Sequence, residues 1–103
     1  MKVRWSRKAK TSLLDVAKYI QTEFGTKAKT RFLAEVRKKE EILSNSPYVG
    51  VTDPLFYDRT VAYRSIIING LSKMVYNVQG NTIRISAFWD TRREPKQQAD
   101  QIE

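Results

Sequence analysis

Five basic side chains in the second half of this sequence are its candidate chemistry: Arg64, Lys73, Arg84, Arg92 and Arg93. Guanidinium and ammonium groups hold phosphates and offset the charge that builds on them. The groups that usually move protons beside them are missing. The sequence contains no His and no Cys, which removes the commonest general base, thiolate catalysis and zinc–thiolate sites. Chemistry here runs on Lys, Arg, Tyr, Ser, Thr and carboxylates, and no metal or cofactor is implied.

Charge points the same way. The chain has 103 residues, with 19 Lys+Arg against 11 Asp+Glu, a formal charge of +8. Such a balance suits a polyanionic partner, with solubility or an acidic protein partner as the alternatives. Residues 1–46 carry 12 basic and 5 acidic side chains, so most of the excess lies in the first half. The hydrophobic share of 41% and aromatic share of 11% suit one domain over 1–103 with a modest core. No apolar run approaches the ~20 residues of a membrane span, and the basic start lacks the apolar stretch of a signal peptide. The expected location is the cytoplasm.

The elements that must position these cations can be read from periodicity. Val3-Arg4-Trp5 reads as a short strand, and Ser6 as the N-cap of a helix. Ala9, Leu13, Val16, Ala17, Ile20 and Phe24 recur at helical spacing, and Gly25 stops the helix. Thr26 is the expected cap of a second helix with Ala28, Phe32, Val36 and Leu43 on its apolar side, ended by Asn45-Ser46-Pro47. The short link makes the pair an antiparallel hairpin. Residues 47–58 read as a loop. From Arg59 the period falls to two, with strands expected at Arg59–Ile68, Lys73–Val78 and Thr82–Trp89, joined by tight turns at Asn69-Gly70 and Gly80-Asn81. Residues 92–103 read as a loose end or short helix. The expected class is α+β: an N-terminal strand, a helical hairpin and a three-stranded antiparallel meander, the helices packed on one sheet face and the first strand joining the sheet.

Strict alternation assigns the faces. Ile83, Ile85, Ala87 and Trp89 are expected toward the helices, with Met74, Tyr76 and Val78. A buried, unpaired Arg is costly, which points Arg64 away from them. The opposite face then carries Arg64, Lys73 and Arg84, with Arg92 and Arg93 beyond its edge and Ile66, Ile68, Val75 and Phe88 between. A face both basic and apolar suits phosphate or protein docking; simple coverage by long basic side chains is the alternative.

The ordered set of motifs resembles the RelE/ParE superfamily of bacterial type II toxins, also called plasmid-stabilisation proteins. The resemblance covers nearly the whole length. It rests on Val3-Arg4-Trp5-Ser6, on Ala9 with Leu13-Leu14, and on Leu43, Pro47 and Gly50. Further along it rests on Tyr63-Arg64, on Lys73 through Val78, and on Asp90-Thr91-Arg92-Arg93-Glu94-Pro95. It implies a toxin neutralised by a cognate antitoxin, which commonly wraps an extended or helical segment around it. The superfamily divides by target. ParE-like members inhibit DNA gyrase, and RelE-like members bind the ribosome and cleave messenger RNA. In the second case the resemblance implies catalytic roles for Arg64, Lys73 and Arg92 or Arg93. RelE-like enzymes add a C-terminal Tyr or His as proton donor, and none follows Arg92 here. Ile66 also stands where a second sheet Lys belongs. The departure favours a ParE-like gyrase inhibitor, with a RelE-like ribonuclease as the alternative and an inactive, binding-only relative as a third.

Overall fold

The computed structural model describes residues 1–56 and 58–90. The elements run β1 (Lys2–Trp5), α1 (Arg7–Phe24), α2 (Thr26–Asn45), β2 (Val51–Thr52), a 3₁₀ turn (Pro54–Phe56), β3 (Arg64–Ile68), β4 (Ser72–Gln79) and β5 (Thr82–Asp90). They form a mixed five-stranded sheet in the order β1-β5-β4-β3-β2, with β1 parallel to β5 and the other pairs antiparallel. This is the expected α+β arrangement, with β2 added at the edge. Among the described residues no helix is long and apolar enough to cross a membrane.

The helix boundaries follow local chemistry. Ser6 caps α1: its Oγ accepts from the Ala9 N–H at 3.1 Å. Gly25, at φ +93°, ends α1 by donating its N–H to the Gln21 carbonyl at 3.0 Å. Its carbonyl accepts from the Lys29 N–H at 3.2 Å, so this one residue closes α1 and opens α2. Thr26, expected as the cap, is instead the first helical residue, and α2 begins without a side-chain cap. Pro47 follows the end of α2 as expected.

The helix-side core gathers Ala17, Phe32, Val36 and Leu43 from the helices against Ile68, Met74, Tyr76, Ile83, Ile85 and Phe88 from the sheet. Phe88 was expected on the opposite face. The reason it turns inward is a β-bulge. Val75 pairs with Ala87, but its neighbour Tyr76 pairs with Ile85, which leaves Ser86 as one extra residue on β5. Alternation restarts after it. Phe88 packs edge-on against Phe32 at 5.9 Å, while Ala87 joins Val75 and Phe56 on the far side. Trp89, also expected inward, is registered with Lys73 away from the helices.

Ile66 and Ile68 were likewise expected on the open face. They are registered with Met74 and Ser72, Ile68 is fully buried in the helix-side core, and Ile66 packs against it. β3 also starts five residues later than the periodicity suggests, at Arg64 rather than Arg59. The described residues between Asp53 and Tyr63 instead form a loop closed by Asp53 N–H to Tyr63 O at 3.0 Å. Its Phe56 lies over Val75 and Ala87, so part of the second sheet face is covered by a small core of its own.

Glu40 on α2 is held in this frame by Trp5, whose Nε1 donates to its Oε1 at 3.2 Å. Burial raises the Glu40 pKa, opposed by that hydrogen bond and by the charge of Arg37. A carboxyl with a raised folded pKa binds its proton more tightly in the folded state. Its contribution to stability is therefore greatest at low pH and falls as pH rises through the folded pKa. Glu40→Gln keeps the acceptor and removes the charge. We expect its melting temperature to match or exceed the parent's at neutral pH, the gap closing toward about pH 4 as the parent carboxyl protonates. A variant clearly less stable at neutral pH would contradict this.

Candidate functional site

The residues from Tyr48 to Gly50 form a tight knot with β3 and β4. Tyr76 is fully buried, and its hydroxyl accepts from the Gly50 N–H at 2.9 Å. Arg64 Nη1 donates to the Gly50 carbonyl at 2.8 Å and the Tyr48 carbonyl at 3.4 Å, and its guanidinium lies 5.3 Å from the centre of the Tyr48 ring. A Cβ at Gly50 would lie 2.6 Å from the Tyr76 hydroxyl and 2.8 Å from the Ser65 carbonyl, so no other residue fits there. Burial pushes the Tyr76 pKa up, while the Gly50 N–H and the Arg64 charge pull the other way. The hydroxyl stays protonated at neutral pH. Register pairs Arg64 with Tyr76, which places it on the helix side, not on the open face. Arg64 avoids the desolvation cost expected of it there because the first position of β3 lies at the sheet's end. There the side chain is only partly buried, and backbone carbonyls receive it.

Lys73 does lie on the far face, and it is occupied. Its Nζ meets Asp53 Oδ2 at 2.7 Å, with side-chain exposures of 16% and 4%. Asp53 Oδ1 accepts from the Leu55 N–H at 3.0 Å, so the same carboxylate starts the 3₁₀ turn. Lys73 also stands 6.0 Å from the Phe56 ring centre. Asp53 was not singled out in the sequence. The signal available was the Asp53-Pro54 start of a turn opposite a strand lysine.

Arg84 is exposed on the far face, at the other end of the sheet from Lys73. Arg92 and Arg93 lie outside the described residues. The expected cluster of Arg64, Lys73 and Arg84 therefore does not form: one is bound to backbone carbonyls, one is in a buried ion pair, and one is exposed and apart.

Sequence reasoning missed a groove. The C-terminal half of α1, the start of α2, the β3–β4 turn and the end of β5 enclose about 710 Å³. Val16, Ile20, Phe24, Phe32, Leu71 and Phe88 supply its apolar walls, with Asp15, Arg31 and Asp90 among its polar residues. Phe24 belongs to the apolar stripe of α1 and was expected in the core, yet it is 69% exposed. The stripe is longer than the sheet beneath it. Apolar residues at its far end have no partner within the described residues' core, and they leave a surface suited to an amphipathic segment.

Comparison with known proteins agrees with this architecture. A family model described as the ParE toxin of the type II toxin-antitoxin system, parDE, matches residues 3–95. Among solved structures the chain is similar to one from P. aeruginosa described as a chromosomal ParDE TA system. The two are 16% identical, with 87% of this chain and 95% of that chain covered and a TM-score of 0.70, a likeness of fold. No curated protein matches.

Two sets of variants test the geometry. Tyr76→Phe strands a buried N–H and is expected to cost about 1–3 kcal/mol in urea unfolding. Gly50→Ala is expected to cost more, because its Cβ meets backbone as well as the hydroxyl. Lys73→Met leaves Asp53 buried without its cation, at about 3–5 kcal/mol. Adding Asp53→Asn, which can still accept from Leu55, should recover at least half of that loss. A loss well under 1 kcal/mol for Lys73→Met would contradict the role of the pair.

Proposed function

The chain belongs to the ParE toxin family of type II toxin–antitoxin systems, and on that premise we propose that it acts by binding and inhibiting DNA gyrase. A ParDE system pairs such a toxin with a cognate ParD antitoxin. The observation that carries the gyrase reading is the state of Arg64 and Lys73, the two members of the expected cleavage set among the described residues. An RNA-cleaving centre needs cations free to meet the scissile phosphate and a group to pass the proton. Lys73 is neutralised by Asp53, and Arg64 is spent on the Gly50 and Tyr48 carbonyls. That supports a toxin that acts through binding rather than through phosphate chemistry.

The groove between α1, α2 and the end of β5 supplies the antitoxin contact. An acidic segment with apolar residues at helical or alternating spacing would fill its walls, and the toxin's charge of +8 would attract it. Phe24, edge-on to the likewise exposed Tyr19, is an aromatic anchor.

The reading is tested by assaying the purified protein in parallel on gyrase supercoiling and on translating ribosomes, the second read by primer extension. We expect loss of supercoiling and no new messenger ends. Codon-spaced 5′ ends that vanish with Arg64→Ala would overturn the proposal in favour of a ribonuclease. Phe24→Ala, at an exposed position, should keep the fold and weaken antitoxin binding by about tenfold or more. Unchanged affinity would remove the groove as the docking site.

A further inference from the structure

β1 and β5 place two arginines side by side at the β1 edge of the sheet. Val3 and Ile83, and Trp5 and Ile85, are register partners that all pack into the helix-side core. Their neighbours Arg4 and Arg84 are partners too, so both project from the opposite face, on strands about 4.8 Å apart. Both are exposed, and neither has a hydrogen bond, ion pair or ring contact among the described residues. Alternation puts Lys2, Thr82 and Gln79 next to them on the same face, and no Asp or Glu occupies a position facing that way on β1, β4 or β5. Like charges in register repel, and an anion between them relieves it.

A second observation lies in the same row. Asn77 is the β4 partner of Arg84. It is 1% exposed, and neither its Oδ1 nor its Nδ2 has a hydrogen-bond partner. A buried amide left unbonded is costly and uncommon, and it marks a place where a missing group belongs.

We infer that Arg4, Arg84 and Asn77 form a binding site for the phosphodiester backbone of duplex DNA, which no part of the gyrase or antitoxin reading requires. Two guanidinium forks match phosphate oxygens. The amide atoms of Asn77 are shielded from solvent, so Asn77 acts on Arg84 rather than on the phosphate: its Oδ1 is placed to accept from that guanidinium once a phosphate holds it. The composition of the face selects the ligand. Its outward positions here are polar or cationic, so it lacks the apolar anchors that an acidic peptide would need. Of the described aromatic rings on this side, Phe56 and Trp89 are buried and Tyr63 is packed against Phe56 at 5.4 Å, so none is offered as an open stacking platform for unpaired bases. A rigid duplex backbone needs neither, and its affinity comes from charge.

The test uses the whole protein without gyrase, so its outcome is independent of the gyrase reading. Fluorescence anisotropy of a labelled duplex of about 20 base pairs is followed from about 50 to 200 mM salt. Arg4→Ala/Arg84→Ala is compared with Lys10→Ala/Lys18→Ala, which removes equal charge from exposed positions on α1. Circular dichroism checks that each is folded. The sheet variant is expected to lose at least about tenfold in affinity and to lower the slope of log K against log salt by about two, while the helix variant changes much less. Asn77→Ala should lose affinity with the slope unchanged. Equal losses for the two double variants would reduce the effect to net charge and overturn the site. So would tighter binding of a single strand or of a poly-glutamate peptide than of the duplex, or no binding by the parent at low salt.

Discussion

Ser86 has no partner across on β4, and the sheet on either side of it depends on that vacancy in the ladder. Before it, Ile83 and Ile85 look toward the helices; after it, Phe88 does. Without the extra residue Phe88 would face away and the core would lose the ring that meets Phe32 and Trp5. The same stretch of β5 also receives the start of α1, the Ile85 carbonyl as the next rung of the β1–β5 ladder. The Ser86 carbonyl accepts from the Ser6 hydroxyl at 3.3 Å, and the Ile85 carbonyl from the Ser6 N–H at 2.9 Å. One irregularity therefore sets the inward residues of β5, at the point where Ser6 begins α1.

The knot at Gly50 does the corresponding work at the opposite edge. The loop after α2 has few apolar contacts of its own, yet Gly50 is buried. Its N–H and carbonyl are both satisfied by side chains, Tyr76 from β4 and Arg64 from β3. A glycine there lets the backbone come close enough for both bonds. Three residues far apart in sequence thus act as one joint, and the short edge strand β2 follows directly from it.

Much of this was legible in the residues. Helical stripes, the Ser6 cap, the Gly25 stop, both hairpin turns and the docking of β1 follow from local rules, and all are present. What failed were inferences carried along a strand without a check. Alternation is a perfect ruler only in a regular ladder, and the inserted Ser86 reverses it for Ala87, Phe88 and Trp89. Nothing in Ile-Ser-Ala-Phe-Trp announces the bulge. Residues 59–63 keep a strand-like pattern but leave the sheet, because the Asp53–Lys73 pair and Phe56 hold the loop over its face. The candidate site suffered most, since cations were grouped by parity. Partners such as Asp53 and the Gly50 carbonyl come from sequence-distant loops, and they decide which cations are free. The groove was hidden for a related reason: a stripe says which side of a helix is apolar, not where the sheet beneath it ends.

The parallel pairing of β1 with β5 carries a consequence for the order in which the protein can be assembled. Lys2 to Trp5 find their ladder partners in residues 82–85, and Ser6 finds its acceptors at Ile85 and Ser86. Contacts across such a span close late, because the intervening loop entropy must be met first. On the ribosome, α1 and α2 can emerge and pair locally while the strand that precedes them stays exposed. The sheet is completed only when β5 arrives. For a toxin, that delay holds back the completed sheet until β5 has been made, a timing written into topology.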